Sequence, residues 1–270
     1  MNDKSNSTQN NENYLSFYGD RRSETYGDEY TFRKPEDHKL FFPVLSSFID
    51  SYDLHDKTCL EIGSSGGCFQ DMVDDYHGTD VSDDLAVHYH KPYKTAIGAR
   101  YPFDDNMFDA VWTHAVFEHI PDLQTAMEEV VRMLKPGGVL LFHPAWQCRS
   151  WAADGYPVRP YSDFGIYGKL VKASIPLRDS IIWRSAFMFP KRIWRHSSFV
   201  FGRTYKRLRY RKIKANFETF WMSDSDACNS IDPHDAILFF ESHGLKCLSH
   251  PLQLKAFLVR TGGIVFRKEQ

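Results

Sequence analysis

The sequence predicts an α/β fold, a doubly wound and mostly parallel sheet with an inserted cap after the fifth strand. Three observations lead to this prediction. Short apolar runs alternate with helix-like patterns between residues 58 and 143, and the alternation resumes after residue 230. A glycine-rich turn directly follows the first apolar run. Residues 144–230 interrupt the alternation and are rich in Trp, Tyr, Pro and Arg.

The composition describes a globular chain whose overall charge selects no partner. The 270 residues are 42% hydrophobic with a formal net charge of −2, which suits one α/β domain with an elaboration. Five scattered cysteines form no C-x-x-C pair and no metal-ligand spacing, which favours free thiols in a reducing cytoplasm and no metal site. No apolar run approaches the roughly 20 residues of a membrane span. Residues 1–13 lack the apolar core of a signal peptide and are expected to be a disordered tail.

The segment before the first strand is expected to contain a helix. Residues 14–35 are aromatic and charged without a clear period, so they either fold over the ligand site as a lid or wrap the core. Apolar residues then recur at three- and four-residue spacing from Leu40 to Ile49, as on one face of a helix. Pro43 lies inside this pattern and predicts a kink or a late helix start.

The glycine-rich turn predicts a nucleotide-like ligand. The first apolar run carries Glu61 and breaks into Gly63-Ser64-Ser65-Gly66-Gly67, after which residues 68–73 can start a helix. A strand, a tight glycine turn and a helix N-terminus bring backbone N–H groups close to a ligand. Glycine adopts positive φ at little cost and has no Cβ to obstruct the ligand.

A second strand from Tyr76 is expected to end at Asp80. An acid at this position is placed to accept hydrogen bonds from ribose hydroxyls, with a turn or N-cap role as the alternative. A dinucleotide site is disfavoured because the glycine spacing is not G-x-G-x-x-G and Glu61 precedes the turn.

The remaining elements continue the alternation. We expect a third strand at 93–97, a fourth ending at Trp112, a helix at 122–134 and a fifth strand at 139–142, with Lys135-Pro136-Gly137-Gly138 ending the helix. After the inserted segment, a helix at 233–244 and a strand at 245–249 follow. Residues 256–260 and 264–267 flank a glycine pair and form either one bulged strand or a hairpin.

Four stretches of the chain, taken together and in order, carry a family resemblance. They are Leu60-Glu61-Ile62-Gly63-Ser64-Ser65-Gly66-Gly67, Gly78-Thr79-Asp80-Val81-Ser82, Tyr101-Pro102-Phe103 with Phe108-Asp109, and Phe117-Glu118-His119-Ile120-Pro121 leading to Leu134-Lys135-Pro136-Gly137-Gly138. They resemble the class I S-adenosylmethionine-dependent methyltransferases, specifically the type 11 small-molecule group.

The resemblance covers about residues 55–143 and the last strands at 245–268. It implies a Rossmann-like methyltransferase fold with seven strands and S-adenosyl-L-methionine as the cofactor. The expected divisions are a cofactor-binding core with its N-terminal lid or helix over 14–143, an inserted cap for the acceptor over 144–230, and the last helix and strands of the core over 231–270.

The same resemblance assigns the cofactor-binding residues. It places the methionine part of the cofactor at the glycine turn, with the segment at one histidine closing over it. It places the ribose on the acid that ends the second strand, and the adenine beside the backbone near residue 99. The residues so assigned are Glu61, Gly63, Ser65, Gly66, Gly67, Asp80, Ala99 and His114. Two positions depart from the family pattern. Ser65 replaces the middle glycine, a change that is tolerable if its φ is negative. Gly98 stands where an Asp usually reaches the adenine amino group, so either the cofactor binds weakly or another polar group, such as Arg100 or Asp104, substitutes.

Methyl transfer to a hydroxyl needs alignment and a base that takes the proton. Three histidines, His114, His119 and His143, lie at the tips of strands four and five. His143 faces the acceptor side and is the preferred base. His119 is also a catalytic candidate, although the Glu118-His119 pair recurs in the family and favours a structural or cofactor-side role. The expected reaction is O-methylation of a small-molecule or glycan-type acceptor, as in glycan biosynthesis.

Residues 191–214 form a basic segment with ten Lys or Arg, no acid and interleaved aromatic residues. Three interpretations stay open: a solvated helix face, contact with an anionic acceptor or membrane surface such as a phosphate-linked glycan carrier, and RNA binding as in an RNA methyltransferase. The near-neutral total charge makes nucleic acid less favoured. We expect a cytoplasmic enzyme, with peripheral membrane association as one option. A non-catalytic methyltransferase-fold protein is a further alternative, supported by Gly98 and Ser65.

Overall fold

A computed structural model describes residues 12–19 and 34–270. Residues 12–19 form helix α1, so the last two residues of the expected disordered tail are helical. The rest of that tail, and residues 20–33 of the expected lid, lie outside the described residues.

The elements follow one another as alternating strands and helices on both sides of an inserted segment. The strands are β1 (Thr58–Ile62), β2 (Asp75–Asp80), β3 (Tyr93–Thr95), β4 (Phe108–His114), β5 (Leu134–His143), β6 (Arg211–Lys212), β7 (Asn229–Ser230), β8 (Leu245–Cys247) and β9 (Ile264–Lys268). After α1, the helices are α2 (Phe42–Ser51), α3 (Leu123–Met133), α4 (Ile166–Asp179), α5 (Ile181–Val200), α6 (Pro233–Ser242) and α7 (Gln253–Leu258). Three short 3₁₀ helices cover Pro35–Asp37, Asp83–His88 and Tyr161–Asp163.

Seven strands form one sheet in the order β3-β2-β1-β4-β5-β9-β8. The neighbours from β3 to β5 are parallel, and β9 is antiparallel to both β5 and β8. The strand order reverses between β1 and β4, and ligands of open α/β sheets bind at the carboxyl ends of strands at such a point. The predicted fold class, a mostly parallel seven-stranded sheet, is confirmed.

The central strands are buried on both faces because their side chains alternate between two cores. In β1, Leu60 and Ile62 pack into the core that contains α3 and α6, whereas Cys59 packs against α2 on the other face. In β4, Val111 packs into the core that contains α3 and α6, and Trp112 packs into the core on the other face. The position of α2 also follows the prediction, because its helix begins late, with Pro43 in the first turn.

Two predicted elements are wrong. Residues 68–73 form turns instead of a helix, because β2 already begins at Asp75 and leaves room only for turns that bury Phe69 and Val73. Residues 256–258 belong to α7, so the last strand is β9 alone. In addition, β5 already begins at Leu134 and runs through the Lys-Pro-Gly-Gly stretch, with Gly137 at φ 82°.

The inserted segment, residues 144–230, contains α4, α5 and the small antiparallel pair β6–β7. A buried ion pair attaches α5 to the core: Arg192 is 1% exposed and donates to both carboxylate oxygens of Asp232, the N-cap of α6. Its Nη1 also donates to the carbonyl of Phe257, 2.6 Å away. Among the described residues, no helix has the length and apolar character needed to cross a membrane.

Candidate active site

A cavity of about 340 Å³ lies at the carboxyl ends of β1, β2 and β4. The glycine turn and Asp80 line its core side. Phe220, Asp224 and Asp226 of the inserted segment line the other side, together with Tyr18 of α1. The cavity therefore lies where parallel strands and the inserted segment meet.

The glycine turn needs glycine because side chains pack directly on it. A Cβ on Gly63 would lie 2.1 Å from Val116 Cγ2, and one on Gly67 would lie 2.7 Å from Tyr89 Cε1. Both residues have φ of 72°, a left-handed conformation that glycine adopts freely. Packing by Val116 and Tyr89 thus accounts for these two glycines without a ligand.

Ser65 also has positive φ, 51°. The expectation of a negative φ at this position is wrong. A non-glycine residue in the left-handed region costs about 1–2 kcal/mol. The turn retains this conformation because Ser65 N–H donates to Asp80 Oδ2 at 2.9 Å and its carbonyl accepts from Tyr89 Oη at 2.8 Å.

Asp80 ends β2 with its carboxylate at the cavity wall. Oδ2 accepts from Ser65 N, and Oδ1 accepts from Val81 N at 2.8 Å. The residue is 9% exposed and lines the cavity. Asp80 therefore connects the second strand to the glycine turn, and a ligand in the cavity can contact the same carboxylate.

Glu61 is a buried acid at the end of β1. Its side chain accepts a 2.6 Å hydrogen bond from Tyr76 Oη. Burial raises its pKa to about 8, and the hydrogen bond from Tyr76 opposes this shift only in part. A cationic ligand group beside Glu61 would favour the charged carboxylate.

The far end of the cavity differs from the predicted adenine site. Ala96, Gly98 and Tyr101 line it, whereas Ala99 and Arg100 do not. The backbone of Arg100 instead pairs with that of Ile97. The hydroxyl of Tyr101 is buried without a hydrogen-bond partner among the described residues. Tyr101 was not a predicted site residue, although its Tyr-Pro-Phe stretch is part of the resemblance.

His114 and His143 form a pair at the ends of β4 and β5. Their Nδ1 atoms lie 2.9 Å apart, and His114 stacks on Phe41 at a centroid distance of 4.1 Å. Burial lowers both pKa values, that of His114 to about 4, so both rings are neutral at neutral pH. His114 lines the cavity, but His143 and Gly67 lie outside the lining.

A second group of titratable side chains surrounds His119. Its Nδ1 lies 3.4 Å from Asp226 Oδ2, and its Nε2 lies 3.7 Å from Glu118 Oε1. Burial lowers the pKa of His119, but Asp226, Glu118 and Asp224 outweigh it and raise the pKa overall. Tyr18 Oη donates to the same Oδ2 of Asp226. Residues of α1, the core and the inserted segment thus meet at one imidazole.

Asp224 and Asp226 were not among the predicted site residues. Their signal was present, because Ser223-Asp224-Ser225-Asp226 is an acidic pair shortly after the basic segment. Glu118 is fully buried, neither of its carboxylate oxygens has a hydrogen-bond partner among the described residues, and burial raises its pKa to about 7. Ligand atoms of Glu118, His119 and Asp224 lie within 4.8 Å of one another, a spacing that would admit a cation. The expected absence of a metal site stays a prediction.

Comparison with known proteins gives a family match for the core. The family model described as "Methyltransferase domain" matches residues 60–142. Phosphoethanolamine N-methyltransferase 2 of Caenorhabditis elegans is 31% identical over 100 residues, which are 32% of this chain and 23% of that protein. The chloroplastic tocopherol O-methyltransferase of Arabidopsis thaliana is 31% identical over 80 residues, or 30% and 22% of the two chains.

Other similar proteins match the same limited part of the chain. Demethylmenaquinone methyltransferase of Staphylococcus carnosus is 36% identical over 100 residues, 34% of this chain and 38% of that one. This chain thus spans well under half the length of the curated relatives named here. A solved structure of an Aquifex aeolicus S-adenosylmethionine-dependent methyltransferase is 17% identical, with a TM-score of 0.34 and coverage of 38% and 64%. The resemblance that the four stretches predicted is confirmed over residues 60–142.

Proposed function

We propose that this chain, whose residues 60–142 are a class I methyltransferase domain, transfers a methyl group from S-adenosylmethionine to an acceptor hydroxyl. The observation that carries the proposal is the shared cavity, with the glycine turn and Asp80 on one side and the buried His119–Asp226 pair on the other. One side fits a cofactor, and the other fits deprotonation of an acceptor.

The residues of the core side fit the cofactor chemically. The lining includes the carboxylates of Glu61 and Asp80 but no Lys or Arg among the described residues, which suits a ligand with an ammonium and a sulfonium. Glu61 would hold the amino group of the methionine part, and Asp80 the ribose hydroxyls. When bound, the cofactor supplies an electrophilic methyl group on sulfur.

The adenine end has its own candidate contact. The hydroxyl of Tyr101, which has no partner among the described residues, is a buried polar atom that a ligand would satisfy, since leaving such an atom unpaired costs about 1–3 kcal/mol. Tyr101 takes this role in place of the Asp that the family has at the position of Gly98. Arg100 and Asp104 are not among the cavity-lining residues, which weakens their case as substitutes.

His119 is the proposed general base. Asp226 Oδ2 lies 3.4 Å from Nδ1, and Glu118 Oε1 lies 3.7 Å from Nε2, so both carboxylates favour a ring that takes up the hydroxyl proton of the acceptor, which it would receive at Nε2. The carboxylates beside the ring then stabilise the imidazolium that forms. His143 is less suitable because it lies behind His114 and outside the cavity lining.

The acceptor is proposed to be a small molecule or glycan unit, bound between the core and residues 144–230. Two of the relatives named above are an N-methyltransferase and an O-methyltransferase by name, so the His119–Asp226 pair, not the relatives, supports oxygen as the methylated atom. The proposed role is in glycan biosynthesis in the cytoplasm, and the five free thiols are consistent with the location alone.

Two alternatives are kept because specific observations favour each. Exposed cations in residues 203–212 that form no ion pair with the described part of the chain favour an anionic partner, and an RNA acceptor is one such partner. The strained Ser65 and the missing Asp at residue 98 favour a binding protein without activity.

The direct test is calorimetric titration of the chain with S-adenosylhomocysteine, followed by labelling of acceptor pools with S-adenosylmethionine carrying a labelled methyl group. We expect saturable binding and label in a hydroxyl of a small or glycan-type acceptor. Absence of binding at millimolar ligand would contradict the proposal. Binding without transfer to any pool would support the inactive alternative, and label in RNA would support the other.

A further inference from the structure

The outer side of α5 is apolar, where a helix on the surface of a soluble domain is normally polar. Lys191 is the only charged side chain at an exposed position of this helix, whose residues are all described. The inner side instead carries the buried, ion-paired Arg192. The exposed large apolar side chains include Ile182, Trp183, Phe187, Ile193, Trp194 and Val200.

Helix α4 also has an exposed apolar stripe, beside the exposed charged side chains Lys169 and Asp179. Ile166, Leu170 and Leu177 are 83%, 66% and 58% exposed, and their four- and seven-residue spacing places them on one stripe. Ala173, also exposed, lies on the same stripe. We call the exposed apolar side chains of α4 and α5 the outer apolar face.

A border of free cations follows this face along the chain. Arg203, Lys206, Arg207, Arg211 and Lys212 are exposed, and their side chains form no ion pair with the described residues. No acid occurs between residues 180 and 217, so the positive charge is not neutralised within the segment. The combination of apolar helices and free cations is typical of helices that lie in a membrane interface.

We propose that α4 and α5 dock on an anionic membrane surface, with the outer apolar face among the lipids and the residues of the cation border on the headgroups. Trp183 and Trp194 suit this position because indole rings favour the interface between lipid and water. Arg209 lies over the ring of Trp194, 5.2 Å from its centroid, which places a cation directly beside the apolar face. This docking is independent of the proposed methyl transfer.

The positive charge of the cation border, together with the apolar face, distinguishes a membrane from two other possible partners, a second copy of the chain and RNA. A second copy of the chain would bring one uncompensated cation border close to another, and like charges oppose that association. RNA would satisfy the cations but would leave Ile166, Leu170 and Ile182 in water. An anionic bilayer satisfies both the charges and the apolar side chains.

The test is co-sedimentation of the full chain with phosphatidylcholine vesicles and with mixed phosphatidylcholine–phosphatidylglycerol vesicles. We expect binding to the mixed vesicles that weakens as salt increases. The double variant Phe187→Glu, Trp194→Glu should lower the partition coefficient by at least about tenfold. Val87→Glu is the matched control, because Val87 is 81% exposed but lies outside the face, and its binding should not change.

The variants are expected to fold, since Phe187 and Trp194 are 56% and 55% exposed, and equal thermal unfolding midpoints will verify this. A second variant, Arg203→Glu with Arg207→Glu and Arg211→Glu, should reduce binding and flatten its salt dependence. Wild-type protein that stays in the supernatant with mixed vesicles would overturn the proposal. So would a wild-type dimer in sedimentation equilibrium that Phe187→Glu dissociates, or vesicle binding that the double variant leaves unchanged.

Discussion

The two sides of the candidate cavity differ in how the chain builds them. Glu61, Asp80 and His114 stand at the ends of strands that are neighbours in one sheet, so hydrogen-bonded register fixes their positions. Asp224 and Asp226 come from the inserted segment and reach His119 only through tertiary packing. We call the side built by the strand ends the rigid side, and the side built by the inserted segment the variable side. This division suits a cofactor that many enzymes share and an acceptor that is specific to one.

The most severe test of this division is His119→Gln. Because the acceptor would lose its base, we expect kcat to fall about 10²–10⁴-fold while affinity for S-adenosylhomocysteine stays unchanged. Steady-state kinetics and calorimetry separate the two quantities. His143→Gln is the comparison variant and should cost less, since His143 lies outside the cavity lining. An equal loss of cofactor affinity in His119→Gln would assign that residue to the cofactor side instead.

The substitution Arg192→Met removes the ion pair with Asp232 that attaches α5 of the inserted segment to the core. Removing this guanidinium leaves Asp232 and the carbonyl of Phe257 without their partner, which should lower the free energy of unfolding by about 3 kcal/mol. Urea denaturation measures the change. The neighbouring variant Lys191→Met, at an exposed position, should stay within about 0.5 kcal/mol of the wild type. Equal effects in both variants would show that the ion pair does not anchor α5.

The rigid side is tested by Asp80→Ala. Lost hydrogen bonds to the ribose should weaken S-adenosylhomocysteine binding by about 1–3 kcal/mol, measured by calorimetry. Asp84→Ala, on the adjacent exposed 3₁₀ turn, serves as the control and should bind like the wild type. An unchanged dissociation constant in Asp80→Ala would leave that carboxylate with its role in the turn alone.

The pH dependence of turnover distinguishes the carboxylates of the variable side. A base acts in its neutral form, so activity should rise with pH through the pKa of His119, which Asp226, Glu118 and Asp224 raise. Asp226→Asn removes one of these charges and lowers that pKa, so the rising limb of the kcat profile should move to lower pH. The two remaining carboxylates keep part of the shift. A limb that does not move would mean that another group titrates.

The smallest expected effect concerns the turn itself. Ser65→Gly removes the strain of a left-handed serine and should raise the free energy of unfolding by about 0.5–1 kcal/mol. Ser64→Gly is the contrasting variant: it removes a hydroxyl that bonds Tyr89 and the carbonyl of Thr79, and should destabilise. Thermal unfolding of both proteins gives the comparison. A destabilised Ser65→Gly would indicate that its side chain contributes more than its backbone strain costs.

Sequence patterns predicted the core well because each element there has a strong local signal. The alternation of buried side chains in β1 and β4, the apolar face of α3 and the stop at Gly244 are properties of neighbouring residues. Residues 68–73 were expected to start a helix, but β2 begins at Asp75 and leaves too little chain for one. The sign of φ at Ser65 depended on hydrogen bonds to Asp80 and Tyr89, which no local pattern contains.

The site was harder to predict where its residues are distant in sequence. The resemblance selected Glu61, Asp80 and His114, all of which line the cavity. It could not select Asp226, because that residue lies in the inserted segment, outside the four matching stretches. The unpartnered hydroxyl of Tyr101 was equally invisible, since hydrogen-bond satisfaction is a property of packing.

One carboxylate in the site is shared between two chain segments. Asp226 Oδ2 accepts from Tyr18 Oη and also faces His119 Nδ1. The hydroxyl of Tyr18 reduces the negative charge that the nearby imidazole experiences, so the phenol of α1 moderates how strongly that ring holds a proton. The basicity of a side chain at the end of the sheet is thus tuned by an aromatic residue near the start of the chain, and replacing that tyrosine by phenylalanine would make the imidazole more basic.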